Sequence, residues 1–182
     1  SDVERIIEEL ERLLEDLERR SKRIDEELKR AADRNRRNVE EIIRRLEDLL
    51  RRLEELVRRD GPAREVIREL EEALKRLEKR VDEDVRDVER KATDLARRSD
   101  DLARKADKRI KEIEKEVDEA GLDKDVLREV RRVAEKVRRS IKELKERNEK
   151  SLRDWKREVD KLLKDIKKVL DEVRKAADDL RK

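Results

Sequence analysis

The sequence predicts an all-α protein, an antiparallel up-down-up three-helix bundle with long, nearly straight helices of about 58 residues. Composition predicts helices, because 60% of the 182 residues are Asp, Glu, Lys or Arg and 34% are hydrophobic, as in long-helix proteins. The chain has two Gly and one Pro, and these divide it into three similar segments. We expect one domain over residues 1–182, with helices over residues 2–60, 62–120 and 124–182.

The first helix carries a regular apolar face. Its apolar residues recur at steps of three and four, as one side of a helix requires. The face also repeats every 18 residues, as in Ile6, Ile24 and Ile42. Eighteen residues make five turns at 3.6 per turn, so the face stays inward with little supercoil. This period argues against disorder, which high charge alone would allow. Ser1 and Glu4 form a capping box at its start.

The glycines mark two turns between helices. Gly61 supplies the left-handed position after the first helix, and Pro62 suits the first turn of the second. Gly121 ends the second helix in the same way. Leu122 then provides the hydrophobic contact typical of such an end, and Asp123 is the expected N-cap of the third helix.

Charge and missing residue types limit the function. Residues 122–182 carry 22 basic and 15 acidic groups, whereas residues 1–60 and 61–121 each carry 17 and 19. We therefore expect the third helix to pack against the other two. Since the chain has no His and no Cys, imidazole acid–base chemistry, disulfides and zinc sites are excluded. We expect no enzyme activity, no cofactor and no metal.

The sequence predicts a soluble monomer that requires no partner. No apolar run approaches the roughly 20 residues that span a bilayer, and the N-terminus does not resemble a signal peptide. We expect no membrane contact and a cytoplasmic location if the chain is expressed in a cell. Basic residues without interleaved aromatics argue against nucleic acid. A homo-oligomer is the alternative, through apolar residues that widen two of the stripes: Ile43, Leu50, Val57, Leu163 and Leu170.

Polar residues interrupt the apolar faces in the middle third of each helix. If the turns set the register, residue i of the first helix lies near residue 122 − i of the second and 121 + i of the third. Ser21 then forms a layer with Ser99 and Ser140. A second layer contains Asn35, Asn38, Asp84 and Trp155, and Asn148 and Ser151 fall between the two. A helical wheel points five of these nine residues well inward: Ser21, Asn35, Ser99, Asn148 and Trp155.

These layers favour a structural function. Buried polar groups penalise slipped helix registers, because a mismatch leaves them without hydrogen bonds. Trp155 is the one Trp in the chain, and its N–H needs an acceptor when buried; Asn35 is the first candidate and Asp84 the second. Two alternatives stay open. The chain could be an interaction module that oligomerises or binds partner helices, or a bundle that binds a small molecule in a central cavity near Trp155.

Uniform stripes, two minimal Gly turns and Glu/Arg/Lys-rich surfaces make the chain resemble a de novo designed helical bundle. The closest match of style is an idealised single-chain three-helix bundle with buried hydrogen-bond networks. The resemblance covers the whole chain and rests on sequence style, not on a motif. It implies a scaffold built to fold, without natural biochemical activity.

Overall fold

The computed structural model describes residues 2–58 and 64–181, apart from the side chains of residues 57, 64–67, 180 and 181. Three helices follow one another: α1 (Asp2–Arg58), α2 (Arg64–Glu119) and α3 (Lys124–Arg181). They contain 57, 56 and 58 residues, which confirms the predicted all-α class. The predicted capping residue Ser1 and the predicted turn at Gly61 and Pro62 lie outside the described residues.

The turn between α2 and α3 follows the sequence prediction. Gly121 has a φ of +63°, in the left-handed region that favours glycine. Leu122 packs against the apolar core beside this turn. The carbonyl oxygen of Asp123 accepts a hydrogen bond from the Leu127 N–H at 2.9 Å, and its carboxylate accepts one from the Lys124 N–H at 3.2 Å. Asp123 therefore caps α3.

The chain folds into two compact units, and each helix contributes a part to both. Unit 1 contains Ser1–Lys29 and Ala92–Asp154, and unit 2 contains Arg30–Lys91 and Trp155–Lys182. Each unit has its own apolar core, described below. The single domain expected over residues 1–182 stays a prediction.

The core of unit 1 draws apolar side chains from all three helices. Burial of one such side chain stabilises the fold by about 1.5–3 kcal/mol. Ion pairs on its surface join Glu9 to Arg109 and Glu27 to Arg98, so residue numbers rise along α1 as they fall along α2, and the two helices are antiparallel. The buried core residues are Leu10, Leu17, Ala106, Ile110, Ile113, Val117, Val130, Ala134, Val137 and Ile141.

The core of unit 2 is built in the same way. Glu41 pairs with Arg80 at 2.9 Å, and Arg36 pairs with Glu158 at 2.6 Å, which ties α1 to both other helices. Its buried core residues are Val39, Ile42, Leu46, Leu49, Leu53, Leu70, Leu74, Leu77, Ile166, Leu170, Val173 and Ala177.

The residues that widen the apolar stripes are partly covered within unit 2. Ile43 and Leu50 are half-buried and pack against the unit 2 core. Leu170 is buried and Leu163 is half-buried, while the side chain of Val57 lies outside the described residues. In the part of the chain that the structure describes, no helix has a stretch apolar enough to cross a membrane.

Candidate functional site

The first polar cluster lies inside unit 1 and takes one residue from each helix. We call it the serine layer: Ser21 of α1, Ser99 of α2 and Asn148 of α3, which are 4%, 5% and 5% exposed. The Ser21 hydroxyl donates to Asn148 Oδ1 at 3.0 Å. The Asn148 amide donates in turn to Ser99 Oγ at 3.5 Å. One asparagine therefore connects all three helices through its two polar atoms.

The serine layer differs in one member from the layer that the sequence predicts. The expected register places Ser21 near position 142 of the third helix, with Ser140 as its partner, whereas its partner is Asn148. Ser140 is half-buried and lines a groove with Ser21. A serine at that edge has too short a side chain to bridge two helices, whereas the asparagine side chain carries a donor and an acceptor on a longer stem.

Packing around the serine layer is incomplete. On the side toward Leu17 and Ile141, a cavity of about 20 Å³ borders all three members of the layer. On the side toward Ile24 and Leu28, a cavity of about 100 Å³ borders Ser99 and Asn148. The larger cavity opens to solvent on one side, because the exposed residue Asp100 lies on its lining.

Asp25 is a half-buried acid that sequence analysis missed. Its Oδ1 atom is buried and has no hydrogen-bond partner among the described residues. Burial raises the pKa of this carboxyl group, although the positive charges of Arg147 and Lys29 act in the opposite direction. Asp25 lines a groove of about 320 Å³ together with Ser21, Ser140 and Arg147. The signal in the sequence is its spacing, because a residue four positions after Ser21 lies on the same side of α1.

The second polar cluster lies inside unit 2 and joins two helices. We call it the aspartate layer: Asn35 and Asn38 of α1 with Asp84 of α2. The Asn35 amide donates to Asp84 Oδ2 at 3.2 Å, and the Asn38 amide donates to Asp84 Oδ1 at 3.4 Å. Asn35 is 7% exposed, while Asn38 and Asp84 are half-buried. Each carboxylate oxygen therefore accepts one amide N–H.

Burial sets the electrostatics of the aspartate layer. It raises the pKa of Asp84, and the negative charge of Asp87 adds to that rise. The hydrogen bond from Asn38 and the charge of Arg80 lower the pKa by less. Arg80 also holds Glu41, and their hydrogen bond lowers the pKa of the Glu41 carboxyl group. Burial thus disfavours the ionised form of Asp84. The Asn38 hydrogen bond and the Arg80 charge offset this effect only in part.

Trp155 belongs to unit 2 and is buried without a hydrogen bond. The side chain is 4% exposed, and its Nε1–H has no partner among the described residues. The prediction that Asn35 or Asp84 accepts this hydrogen is wrong. The Asn35 amide donates to the Asp84 carboxylate instead.

The remaining predicted residue, Ser151, is half-buried. Among the described residues, no hydrogen bond joins Ser140 or Ser151 to either layer. The described part of the chain also contains no group of three or more Asp or Glu that could hold a metal ion. Neither layer pairs a nucleophile with a base, which covalent catalysis requires. The layers connect the helices by hydrogen bonds.

Fold and polar clusters together define a class: a three-helix bundle with hydrogen-bonded polar residues inside its apolar core. A structure comparison agrees on the fold. The chain is similar to a solved structure described as a computationally designed three helix bundle, with 19% sequence identity and a TM-score of 0.54 over 98% of this chain and 80% of that one. This match confirms the predicted resemblance at the level of the fold. No protein-family model and no curated protein matches the sequence.

Proposed function

We propose that this chain is a designed structural scaffold, a single bundle domain whose buried polar layers specify how its helices pair. The observation that carries the proposal is Asn148, which is 5% exposed and hydrogen-bonded to both Ser21 and Ser99. A contact that needs one residue from each helix is satisfied in one arrangement only. The similar fold of a computationally designed three helix bundle supports the same reading.

The energetics favour a role in pairing over a role in stability. A hydrogen bond inside a protein contributes only about 0.5–1.5 kcal/mol, because folding exchanges it for one to water. A buried polar group left without a partner costs about 1–3 kcal/mol. Sliding α3 would break both bonds of the serine layer, and sliding α1 or α2 would break one. Each slipped arrangement therefore leaves buried polar groups without partners, while the correct one gains little.

The aspartate layer adds a second requirement in unit 2. Asp84 can only accept hydrogen bonds when ionised, so both asparagines must donate. If α1 shifted by one turn relative to α2, one of the two asparagines would lose Asp84 as its acceptor. The two layers therefore act on different parts of the helices, and each penalises displacement of its own part.

The proposal includes a monomer without catalytic activity or a required partner. Ile43, Leu50 and Leu170 belong to the unit 2 core or pack against it, which supports the monomer because they are three of the five residues that could offer an apolar patch. The buried polar side chains of the two layers are hydroxyls and amides, those of Ser21, Asn35, Ser99 and Asn148. Without a base beside a nucleophile, they supply no reaction.

Replacing the serine layer by apolar residues tests the pairing role. In the triple variant Ser21→Ala/Ser99→Ala/Asn148→Leu we expect unfolding free energy equal to the parent or higher by about 1–3 kcal/mol, because apolar packing replaces weak hydrogen bonds. Helix register should become less uniform, visible as extra amide peaks in ¹H–¹⁵N NMR spectra. One sharp set of peaks, as in the parent, would remove the basis of the proposal.

A matched control uses serines that belong to neither layer. The double variant Ser140→Ala/Ser151→Ala makes the same chemical change at half-buried positions. We expect it to keep one set of amide peaks and a stability within about 0.5 kcal/mol of the parent. Peak doubling in this control would show that loss of any inward serine, and not of the layer, causes the effect.

A further inference from the structure

The larger cavity beside the serine layer has the lining of a binding site. Its volume is about 100 Å³, and most of its wall is apolar, from Ile24, Leu28, Leu95 and Leu152. The polar part of the wall is formed by Ser99 and Asn148, with Asp100 and Glu149 also on its lining. Small-molecule sites combine mostly apolar walls with a few placed polar groups, which is the chemistry seen here.

One hydrogen-bond donor in this wall is unused. Ser99 Oγ accepts a hydrogen bond from Asn148, so the hydroxyl hydrogen remains free, and no described residue accepts it. The side chain is 5% exposed, and an unsatisfied buried donor carries an energetic penalty. Asn148 Oδ1 accepts only from Ser21 and keeps a second lone pair. The wall therefore offers one free donor and one free acceptor site.

Size limits what can enter. An engineered cavity of about 150 Å³ takes up benzene, which has six carbons. By the same proportion, a cavity of about 100 Å³ takes about four non-hydrogen atoms. The opposite cavity of about 20 Å³ has room for a water molecule only. Of these two cavities, the one that faces Leu28 and Leu95 is therefore the one with room for a ligand.

We propose that this cavity binds short-chain primary alcohols of about four non-hydrogen atoms. The alcohol oxygen accepts the free hydrogen of Ser99, and the alcohol hydroxyl donates to the open lone pair of Asn148 Oδ1. The alkyl chain lies against the leucine and isoleucine side chains. A ligand of this size has few contacts, so the dissociation constant is on the order of 1 mM. This binding is independent of the role of the layer in helix pairing.

The test is a titration of the full chain with 1-propanol, followed by ¹H–¹³C NMR of the methyl groups. The expected result is a saturable shift confined to the methyls that line the cavity, those of Ile24, Leu28, Leu95, Ala96 and Leu152. Ser99→Ala should weaken binding about fivefold to tenfold, as loss of one hydrogen bond predicts. Non-saturating shifts spread over both units would overturn the site, and an unchanged affinity in Ser99→Ala would overturn the hydrogen bond that anchors the alcohol.

A space-filling variant separates the cavity from general effects of alcohol. Ala96 lines the cavity, so Ala96→Leu should fill it and abolish the saturable shifts. Ala120 is exposed and lines none of the cavities described, so Ala120→Leu is the matched control and should bind 1-propanol like the parent. Equal binding by the two variants would overturn the proposal. Their amide spectra report folding and helix register separately, so failure here leaves the pairing role untouched.

Discussion

The serine layer of unit 1 and the aspartate layer of unit 2 both join helices by hydrogen bonds between polar side chains, but their chemistry differs. The serine layer is uncharged, takes one residue from each helix and is almost fully buried. The aspartate layer contains a carboxylate, joins α1 to α2 and keeps Asp84 half-buried at the edge. Because burying a charge costs far more than burying an amide or a hydroxyl, the neutral layer can lie deeper.

The layers also differ in how firmly they fix their donors. A serine hydroxyl can donate or accept, and in the serine layer Ser21 donates to Asn148 while Ser99 accepts from it. The ionised carboxylate of Asp84 can only accept, so both asparagine amides must donate to it. The serine layer therefore depends mainly on the positions of three helices, whereas the aspartate layer depends on the identity of its groups. The predictions that follow test this difference.

The largest difference is expected between the central asparagine of one layer and the edge asparagine of the other. Asn148→Ala removes the hydrogen bonds of two buried serines and enlarges the space beside two cavities, so it should destabilise the fold by about 2–4 kcal/mol. Asn38→Ala removes one half-exposed bond and should cost less than about 1 kcal/mol. Urea unfolding of both variants measures these changes. Equal losses of unfolding free energy would contradict the claim that the serine layer is the more deeply buried of the two.

The charge of Asp84 predicts a pH dependence that the serine layer lacks. Burial raises the folded-state pKa of Asp84 above its ordinary value. The neutral carboxyl group therefore favours the folded state, and this contribution is fully present below the unfolded pKa of about 3.9 and lost as pH rises through the folded pKa. Asp84→Asn stays neutral, so its stability relative to the parent should be higher at pH 7 than at pH 3.

Thermal unfolding at several pH values measures that difference. Asp82 is exposed on the same helix, so Asp82→Asn is the matched control and its stability should follow that of the parent across the range. If the difference in stability between Asp84→Asn and the parent did not change with pH, burial in the aspartate layer would not raise the pKa of Asp84.

A smaller effect is expected at Trp155, the buried donor outside both layers. Trp155→Phe removes an unsatisfied N–H, which favours folding by about 1–3 kcal/mol, but it also removes packed ring atoms, which costs a similar amount. The unfolding free energy should change by less than about 1 kcal/mol, measured by circular dichroism. In the parent, Trp155 emission should be blue-shifted and quenched slowly by iodide. A water-like emission spectrum would be incompatible with burial.

A small effect also separates the serines of the layer from half-buried serines outside it. Ser21→Ala removes a buried hydrogen bond to Asn148 and should cost about 1 kcal/mol. Ser140→Ala affects a half-buried side chain outside the layer and should change stability by less than about 0.5 kcal/mol. Chemical unfolding resolves the two. A larger loss in Ser140→Ala would mean that the groove beside Asp25 contributes more than the layer does.

Much of the fold follows directly from the sequence. The period of 3.6 residues predicts the helices, and a glycine that must adopt positive φ predicts the α2–α3 turn at Gly121. A helical wheel is also enough to point Asn148 and Trp155 inward, where the structure has them buried. These features depend on the chain near each residue, so local pattern determines them.

Features that depend on all three helices at once could not be predicted from the sequence. The choice of Asn148 over Ser140 depends on which side chain of α3 reaches Ser21, and a turn-based register does not contain that information. The unsatisfied N–H of Trp155 and the buried oxygen of Asp25 likewise depend on which neighbours reach them. Side-chain periodicity places a polar group on a face but does not select its partner.

Static light scattering tests the central claim most directly, by comparing the parent with a variant that lacks both layers. The variant adds Asn35→Leu, Asn38→Ala and Asp84→Leu to the three serine-layer changes. If the layers specify helix pairing, the parent should have a single mass near 22.1 kDa, and the variant should be at least as stable but contain several oligomers. A variant with one mass near that of the parent would contradict the claim.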